Sequence, residues 1–256
     1  MGKIISVHSY RGGTGKSNLT ANLATLLAMQ GRRVGVVDTD IQSPGIHVLF
    51  NLDEGQMTRS LNDYLWGQCA VEQTAYDVSP ADVKAKGGVV YLIPSSIKAG
   101  EIARILKEGY RIEDLTDGFY SLIERLRLDY LMIDTHPGLN EETLHSVAIS
   151  DVLVLILRPD RQDFQGTAVT VEVARKLDVP ELLLVINKAL TSMDFESLRQ
   201  RVEDTYHAPV AAILPQCDEM MQLASGGIFC VQYPGHPLTR LLTDLALLIG
   251  RPVLES

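Results

Sequence analysis

The sequence predicts an α/β fold in which a single doubly wound, mostly parallel sheet carries helices on both faces. Three observations support this prediction. Short apolar runs alternate with amphipathic segments, a glycine-rich loop follows the first apolar run, and acidic residues follow two later runs. The alternation is typical of parallel strands, because each parallel crossover is usually a helix that covers the sheet. With 256 residues, the chain is long enough to form one such domain over residues 1–256.

The short apolar runs predict the strands, since each is rich in Val, Ile and Leu and is bounded by turn residues. The predicted strands are Lys3–Val7, Arg33–Val37, Val89–Ile93, Tyr130–Ile133, Val152–Leu157, Leu182–Ile186 and Val210–Leu214.

The helices are predicted where apolar residues recur at three- and four-residue spacing. They are Ser17–Met29, Ile112–Leu126, Glu141–Ala148, Phe164–Leu177, Phe195–Tyr206 and Leu238–Ile249. Gly31 is expected to end the first helix, because glycine favours the left-handed conformation found there. In a doubly wound sheet, binding residues lie at the carboxyl ends of the strands.

The composition is that of an ordinary globular protein, with 46% hydrophobic and 21% charged residues. No apolar run approaches the roughly 18 residues that span a bilayer, and the amino terminus predicts a strand instead of a signal peptide. We therefore expect a cytoplasmic protein. Its three cysteines, Cys69, Cys217 and Cys230, form no Cys-x-x-Cys pair, so buried or free thiols in a reducing compartment are expected.

The loop after the first predicted strand has the composition of a phosphate-binding loop. Its residues are Gly12, Gly13, Thr14, Gly15, Lys16 and Ser17. Glycines let successive N–H groups point at anionic oxygens, and the following helix adds the positive end of its dipole. Lys16 would contact the β- and γ-phosphates and Ser17 would ligate Mg²⁺. A chance glycine turn is the alternative, but a strand and a helix flank the loop as the motif requires.

Acidic residues follow two predicted strands. Asp38 and Asp40 suggest handling of Mg²⁺ and of the attacking water, although an Asp after a strand also caps turns. Asp134 follows Ile133, as expected for the second acid that helps to hold the metal. His136 is more often a hydrogen-bonded spacer in such a loop, and we assign it no catalytic role.

Asn187 ends a later predicted strand, and its position allows two interpretations. Its amide offers a donor and an acceptor to a purine edge. Asn is also a common turn residue, and in isolation that interpretation is the better one.

With these motifs placed, the chain resembles the ParA/MinD ATPases, the deviant Walker A group of phosphate-loop NTPases. Their loop reads Lys-Gly-Gly-x-Gly-Lys-[Ser/Thr] and precedes a helix with an Asn-Leu-Ala run, which residues 11–17 and 21–24 resemble. Two segments, 36–40 and 133–138, are similar to the two switch segments of the family. Residues 186–188 are similar to its adenine-contacting strand end, and residues 212–218 to the loop that closes over the base. The resemblance covers residues 3 to about 248.

This resemblance implies ATP and Mg²⁺ as ligands and a single ATPase domain. The implied nucleotide-binding residues are Gly12, Gly13, Thr14, Gly15, Lys16, Ser17, Asn18, Asn187 and Pro215. The implied metal-binding residues are Ser17, Asp38 and Asp134. Asp40 matches the acid that helps to activate the hydrolytic water, and Lys16 joins it in the catalytic set.

The resemblance also implies a homodimer with ATP between the protomers. A lysine at the start of the family's loop then reaches the partner's phosphates, but this chain has Arg11 there. Arginine keeps the positive charge and can stabilise the transferring phosphoryl group as an arginine finger does. Arg11 could instead face its own chain, and Arg158 or Arg161 could supply the crossing charge.

Family members position plasmids, chromosomes, division machinery or protein cargo, so a positioning or partitioning switch with an unidentified stimulating or cargo protein is expected. Non-specific DNA binding stays possible through Arg199, Arg201, Arg240 and Arg251, although a net charge of −9 argues against a strongly basic DNA binder. Membrane binding is not expected, because residues 250–256 lack a basic amphipathic pattern. The alternatives are a regulator that binds neither surface and a metallocentre-maturation ATPase, which needs paired cysteines.

Overall fold

The computed structural model describes residues 2–252. The prediction that residues 250–256 lack a membrane-binding pattern therefore concerns, from Val253 onward, residues outside the described range. The strands in the described range are β1 (Lys3–His8), β2 (Arg33–Asp38), β3 (Tyr76–Asp77), β4 (Val89–Ile93), β5 (Tyr130–Asp134), β6 (Val152–Leu157), β7 (Glu181–Ala189) and β8 (Val210–Pro215).

These strands form one eight-stranded sheet in the order β3-β4-β2-β5-β1-β6-β7-β8. All neighbouring strands are parallel except β3 and β4, which are antiparallel. The predicted fold class, a doubly wound and mostly parallel sheet, is confirmed. The two-residue β3 was not predicted, because it is too short to show a strand pattern.

The helices within residues 2–252 vary widely in length. They are α1 (Lys16–Ala28), α2 (Ile46–Leu49), α3 (Leu61–Leu65), α4 (Ala81–Ala85), α5 (Ala99–Glu108), α6 (Ile112–Leu126), α7 (Glu141–Ala148), α8 (Arg161–Lys176), α9 (Phe195–Tyr206), α10 (Asp218–Leu223), α11 (Phe229–Gln232) and α12 (Pro237–Ile249). None of them is both long and apolar enough to cross a bilayer.

The six predicted helices all form, and one of them begins three residues earlier than expected. Helix α8 starts at Arg161 instead of Phe164, because the Asp160 side chain accepts the amides of Gln162 and Asp163 and caps the first turn. Gly31 follows α1 with φ +79° and donates to the carbonyl of Ala28, so its predicted role is confirmed.

The sheet buries apolar side chains on both faces, and successive residues of a strand point to opposite faces. Ile5 and Val7 of β1 pack in one cluster with Leu23 of α1. Ile4 packs in a second cluster with Phe119 of α6. Because β1 is covered on both sides, only the ends of the central strands are open to ligands.

The register of the central strands brings the predicted site residues together. Val7 of β1 and Asp38 of β2 both lie opposite Asp134 of β5. The loops that follow these three strands therefore meet at one edge of the sheet.

Candidate active site

The loop between β1 and α1 leaves the first turn of α1 open. Gly15 precedes the helix with φ +97°, and a Cβ there would lie 2.6 Å from Nδ2 of Asn187. No side chain caps the first turn, and the turn contains no acidic residue. Since the first four amides of a helix lack helical acceptors and carry the positive end of the dipole, this terminus is suited to an anion.

Asp134 lies below this loop, beside two hydroxyls of α1. Its Oδ1 is 3.4 Å from Oγ1 of Thr20, and the Ser17 hydroxyl lies close enough to influence the pKa of its carboxyl group. Burial raises the pKa of Asp134, whereas Lys16 and the two hydroxyls act in the opposite direction. A hydroxyl and a carboxylate side by side supply the oxygen donors that Mg²⁺ prefers, so these residues fit that ion.

Asp38 is buried next to Asp134. Its Oδ1 accepts the amide of Asp40 at 3.0 Å, and its Oδ2 accepts the amide of Gly45 at 3.3 Å. Burial and the charge of Asp134 raise the pKa of Asp38 well above its ordinary value. A cation near this pair of acids would relieve their repulsion.

Asp40 is more open, with 16% of its side chain exposed. Oδ1 accepts the amide of Ser43 at 3.1 Å and lies 3.7 Å from Nε2 of His136. Burial raises the pKa of Asp40, and His136 and Lys16 oppose that shift. Asp40 is thus the acid of the three best placed to meet a water molecule, and His136 contacts it.

His8, which was not predicted as a site residue, lies fully buried at the end of β1. The Thr135 hydroxyl donates to the carbonyl of Val7, so it accepts from Nδ1 of His8 at 2.7 Å. Nε2 is then an acceptor, and it has no partner within residues 2–252. Burial, with smaller effects of Lys16 and His136, lowers the pKa of His8 to about 3. A histidine at a strand end gives no sequence signal that separates it from a core residue.

Two side chains near the carboxyl end of β7 brace the glycine-rich loop from the other side. Nδ2 of Asn187 donates to the carbonyl of Thr14 at 2.8 Å, and its Oδ1 accepts the amide of Lys188 at 2.9 Å. Nζ of Lys188 donates to the carbonyl of Gly13 at 2.8 Å. Asn187 thus lies within β7 and bonds to a loop 173 residues away in the sequence, so it is not a turn residue here, and its contact with a purine stays a prediction.

A cavity of about 380 Å³ adjoins the loop. Four residues predicted from the sequence line it together: Gly15, Asn18, Asn187 and Pro215. Residues that were not assigned complete the wall, namely Leu19, Asn22, Lys188, Leu214, Gln216, Cys217, Met220, Met221, Leu238 and Leu242. An apolar wall with a few amide groups is typical of pockets that bind a flat heterocycle.

Arg11 is held within its own chain. Its guanidinium donates to Oε1 of Gln162 and lies 3.8 Å from Oδ1 of Asp163, with 41% of the side chain exposed. The other oxygen of Asp163 accepts from Nε of Arg158 at 3.1 Å. The structure therefore has the arrangement given as the alternative for Arg11, and a role across a dimer stays a prediction.

Tyr10 takes the first position of the phosphate-loop frame, where the general motif has glycine. Its ring lies against Gly166 of α8, and a Cβ at Gly166 would overlap three ring atoms. Tyr10 and Arg11 thus both fasten the start of the loop to α8.

Two of the basic residues considered for DNA binding make contacts within their own chain. Arg199 donates to the carbonyl of Val210 and lies 3.8 Å from Glu203. The guanidinium of Arg201 lies 5.3 Å from the ring centroid of Phe164. These contacts favour ordinary surface roles for both arginines.

Comparison with known sequences agrees with the geometry of the site. A family model described as ParA, the NUBPL iron-transfer P-loop NTPase, matches residues 1–201. An uncharacterized ATP-binding protein of Methanocaldococcus jannaschii is 25% identical over 248 residues, which cover 96% of this chain and 87% of that protein. An iron-sulfur cluster carrier protein of Methanococcus maripaludis is 30% identical over 187 residues, which cover 72% of this chain and 59% of the carrier.

A solved structure has the same fold. The septum site-determining protein MinD of Pyrococcus horikoshii, complexed with Mg-ADP, superposes with a TM-score of 0.82 and 23% identity. The match covers 97% of this chain and 96% of that one.

Proposed function

Because this chain belongs to the ParA/MinD family of P-loop NTPases, we propose that it is a Mg²⁺-dependent ATPase whose ATP-bound form dimerises and acts as a switch. The switch would operate in the cytoplasm, in the positioning or partitioning of a cargo. The observation that carries the proposal is the open first turn of α1 directly above the Ser17–Asp134 pair.

The position of each residue at the site determines its proposed role. The amides of Gly12, Gly13 and Gly15 enclose the phosphate oxygens, and Lys16 supplies charge to the β- and γ-phosphates. Ser17, with Asp134 and Asp38 nearby, would hold Mg²⁺, which would supply positive charge against the phosphates. Asp40 accepts a hydrogen bond from the attacking water and orients it.

The base would occupy the 380 Å³ cavity. Asn18 and Pro215 lie in its wall, and Asn187 joins the cavity to the loop through its bond to Thr14. The Mg-ADP complex of the MinD structure, which has the same fold, supports an adenine nucleotide as the ligand.

In the proposed dimer, Arg11 would act in trans. Its contacts with Gln162 and Asp163 would break as the protomers close, and the guanidinium would move to the partner's phosphates. Slow hydrolysis by the free protein and stimulation by a partner protein would follow, because the resting contacts hold Arg11 away from that position.

We expect Asp40→Ala to bind ATP without hydrolysing it, because the protein loses the carboxylate that orients water. Phosphate release should fall at least about 100-fold, within the range that a positioned acid or base contributes. In light scattering with Mg²⁺ and ATP, the variant should have twice the mass of the 28.2 kDa chain.

The matched control is Lys107→Ala on the exposed side of α5, which should retain the wild-type rate. Hydrolysis by Asp40→Ala at the wild-type rate would show that the water-orienting role is wrong. A variant that stays monomeric in ATP would contradict the dimer.

A metallocentre-maturation ATPase is the second candidate, and it is favoured by the similarity to an iron-sulfur cluster carrier protein. Against it, the chain has no Cys-x-x-Cys or Cys-x-Cys pair. Anaerobic reconstitution with iron and sulfide decides between the candidates: a bound cluster with its visible absorbance would favour maturation. Without a cluster, an ATP-dependent gel shift and liposome pelleting separate a surface-bound switch from a regulator that binds neither surface.

A further inference from the structure

Three side chains of different chemistry converge beside the cavity. The thiol of Cys217, the carboxylate of Glu219 and the imidazole of His236 each offer one ligand atom, and these atoms lie within 4.8 Å of one another. Cys217 and Glu219 lie at the start of α10, whereas His236 immediately precedes α12. The cluster therefore connects the starts of two helices that both line the cavity.

The thiol of Cys217 and the imidazole of His236 both lie close to one oxygen of Glu219. Sγ of Cys217 donates to Oε2 of Glu219 at 3.3 Å, and Nε2 of His236 is 3.7 Å from that same oxygen. Nδ1 of His236 accepts the amide of Leu238 at 3.0 Å, so a neutral ring carries its proton on Nε2. A cation between the three groups can replace both protons.

Two of the three donor separations fit a tetrahedral metal. With Zn–S near 2.3 Å and Zn–N or Zn–O near 2.0–2.1 Å, neighbouring donor atoms lie about 3.3–3.6 Å apart. The two measured edges, 3.3 Å and 3.7 Å, are close to these separations. One sulfur, one nitrogen and one oxygen form a donor set suited to Zn²⁺, and three protein ligands leave a position for water.

The cluster is open to solvent. The side chain of Glu219 is 47% exposed and that of His236 is 25% exposed. An ion can therefore reach the three donors without any helix moving aside.

We propose that Cys217, Glu219 and His236 form a binding site for Zn²⁺ or a similar divalent transition metal, which ties α10 to α12 beside the cavity. On binding, the thiol of Cys217 releases its proton to solvent. The imidazole proton moves from Nε2 to Nδ1 through solvent, so one proton is released per metal ion. The Leu238 amide then loses its acceptor, which is the cost of a single hydrogen bond.

The proposal goes beyond the ATPase and uses none of the phosphate-site residues. Zinc binding is measured on nucleotide-free protein, so its failure would leave the ATPase proposal intact.

The test is a competition titration of chelator-treated, reduced protein with Zn²⁺ and a chromophoric zinc indicator. We expect one tight zinc site per chain, weakened at least about tenfold in Cys217→Ser and in His236→Asn. Both variants should fold, because serine keeps the bond to Glu219 and asparagine is a good helix N-cap. The matched controls are Cys69→Ser and His207→Asn, which should bind zinc as the wild type does.

Two further readouts identify the ligands. Substitution with Co²⁺ should give a thiolate-to-metal charge-transfer band that Cys217→Ser loses and Cys69→Ser keeps. Hydrogen exchange of the Leu238 amide should become faster when zinc is added. Wild-type affinity in Cys217→Ser, or no zinc uptake by the wild-type chain, would overturn the proposal.

Discussion

At the scale of single residues, the sequence is most informative about the groups that follow parallel strands. Asp38 and Asp134 were predicted to act together, and they lie opposite each other in the β2–β5 register. They lie close together because parallel strands bring their carboxyl ends to one edge, and their shared role at a metal stays a prediction. The contacts of Arg11 with Gln162 and of His8 with Thr135 could not be predicted, since the partners are 151 and 127 residues apart.

His8 should make the protein less stable in mild acid. Its pKa is lowered to about 3 in the folded chain, so below its ordinary pKa of 6.5 the unfolded chain binds a proton that the folded chain does not. The free energy of unfolding therefore falls as the pH decreases from about 6.5 toward 3. Between pH 7 and pH 5, His8 should account for a loss of about 2 kcal/mol.

Urea denaturation of His8→Asn checks this expectation. Asparagine can still donate to Thr135, but it does not titrate, so the variant should lose about 2 kcal/mol less than the wild type between the two pH values. The control is His207→Asn, an exposed site with φ +50° that asparagine tolerates. Equal losses in the wild type and His8→Asn would rule out this role for His8.

At the scale of elements, the long helices and the central strands follow from periodicity, whereas the short helices between residues 46 and 85 do not. Helices α2, α3 and α4 have four or five residues each, too few to establish a period. Helix α5 has Ile102, Ile105 and Leu106 at helical spacing, so its pattern could have predicted it, although only Ile105 among its ten residues is buried. The start of α8 depends on a side-chain cap, which hydrophobic periodicity does not report.

Helix α8 and the glycine-rich loop should be coupled through Tyr10 and Gly166. The methyl group added by Gly166→Ala would overlap the ring of Tyr10. We expect this substitution to lower the free energy of unfolding by about 1–3 kcal/mol. In a Tyr10→Ala background the same change should stabilise the protein by up to about 1 kcal/mol, because alanine is the better helix former.

The measurement is a double-mutant cycle by urea denaturation, and Gly100→Ala in α5 is the control. A Cβ at Gly100 meets nothing within 4 Å, so that variant should be unchanged or slightly stabilised. If Gly166→Ala has the same effect with and without the Tyr10 ring, the two residues are not coupled.

At the scale of the whole molecule, the fold class was predictable and the strand order was not. Alternating strands and helices specify a parallel sheet covered on both faces, but the central position of β1 depends on pairings between distant segments. The order matters for the proposed function, since it places the loops after β1, β2 and β5 together and sets the 380 Å³ cavity on the β7 and β8 side of α1.

The central claim is that the loop of residues 12–17 binds Mg-ATP. Isothermal titration calorimetry of ATP into the protein with Mg²⁺ tests it most directly, with Lys16→Ala and Lys107→Ala measured alongside. We expect one ATP per chain for the wild type and Lys107→Ala, and at least about a 100-fold weaker affinity for Lys16→Ala, which loses a charge-assisted contact to the phosphates. Absence of heat with the wild-type protein, or equal affinity in Lys16→Ala, would contradict the account.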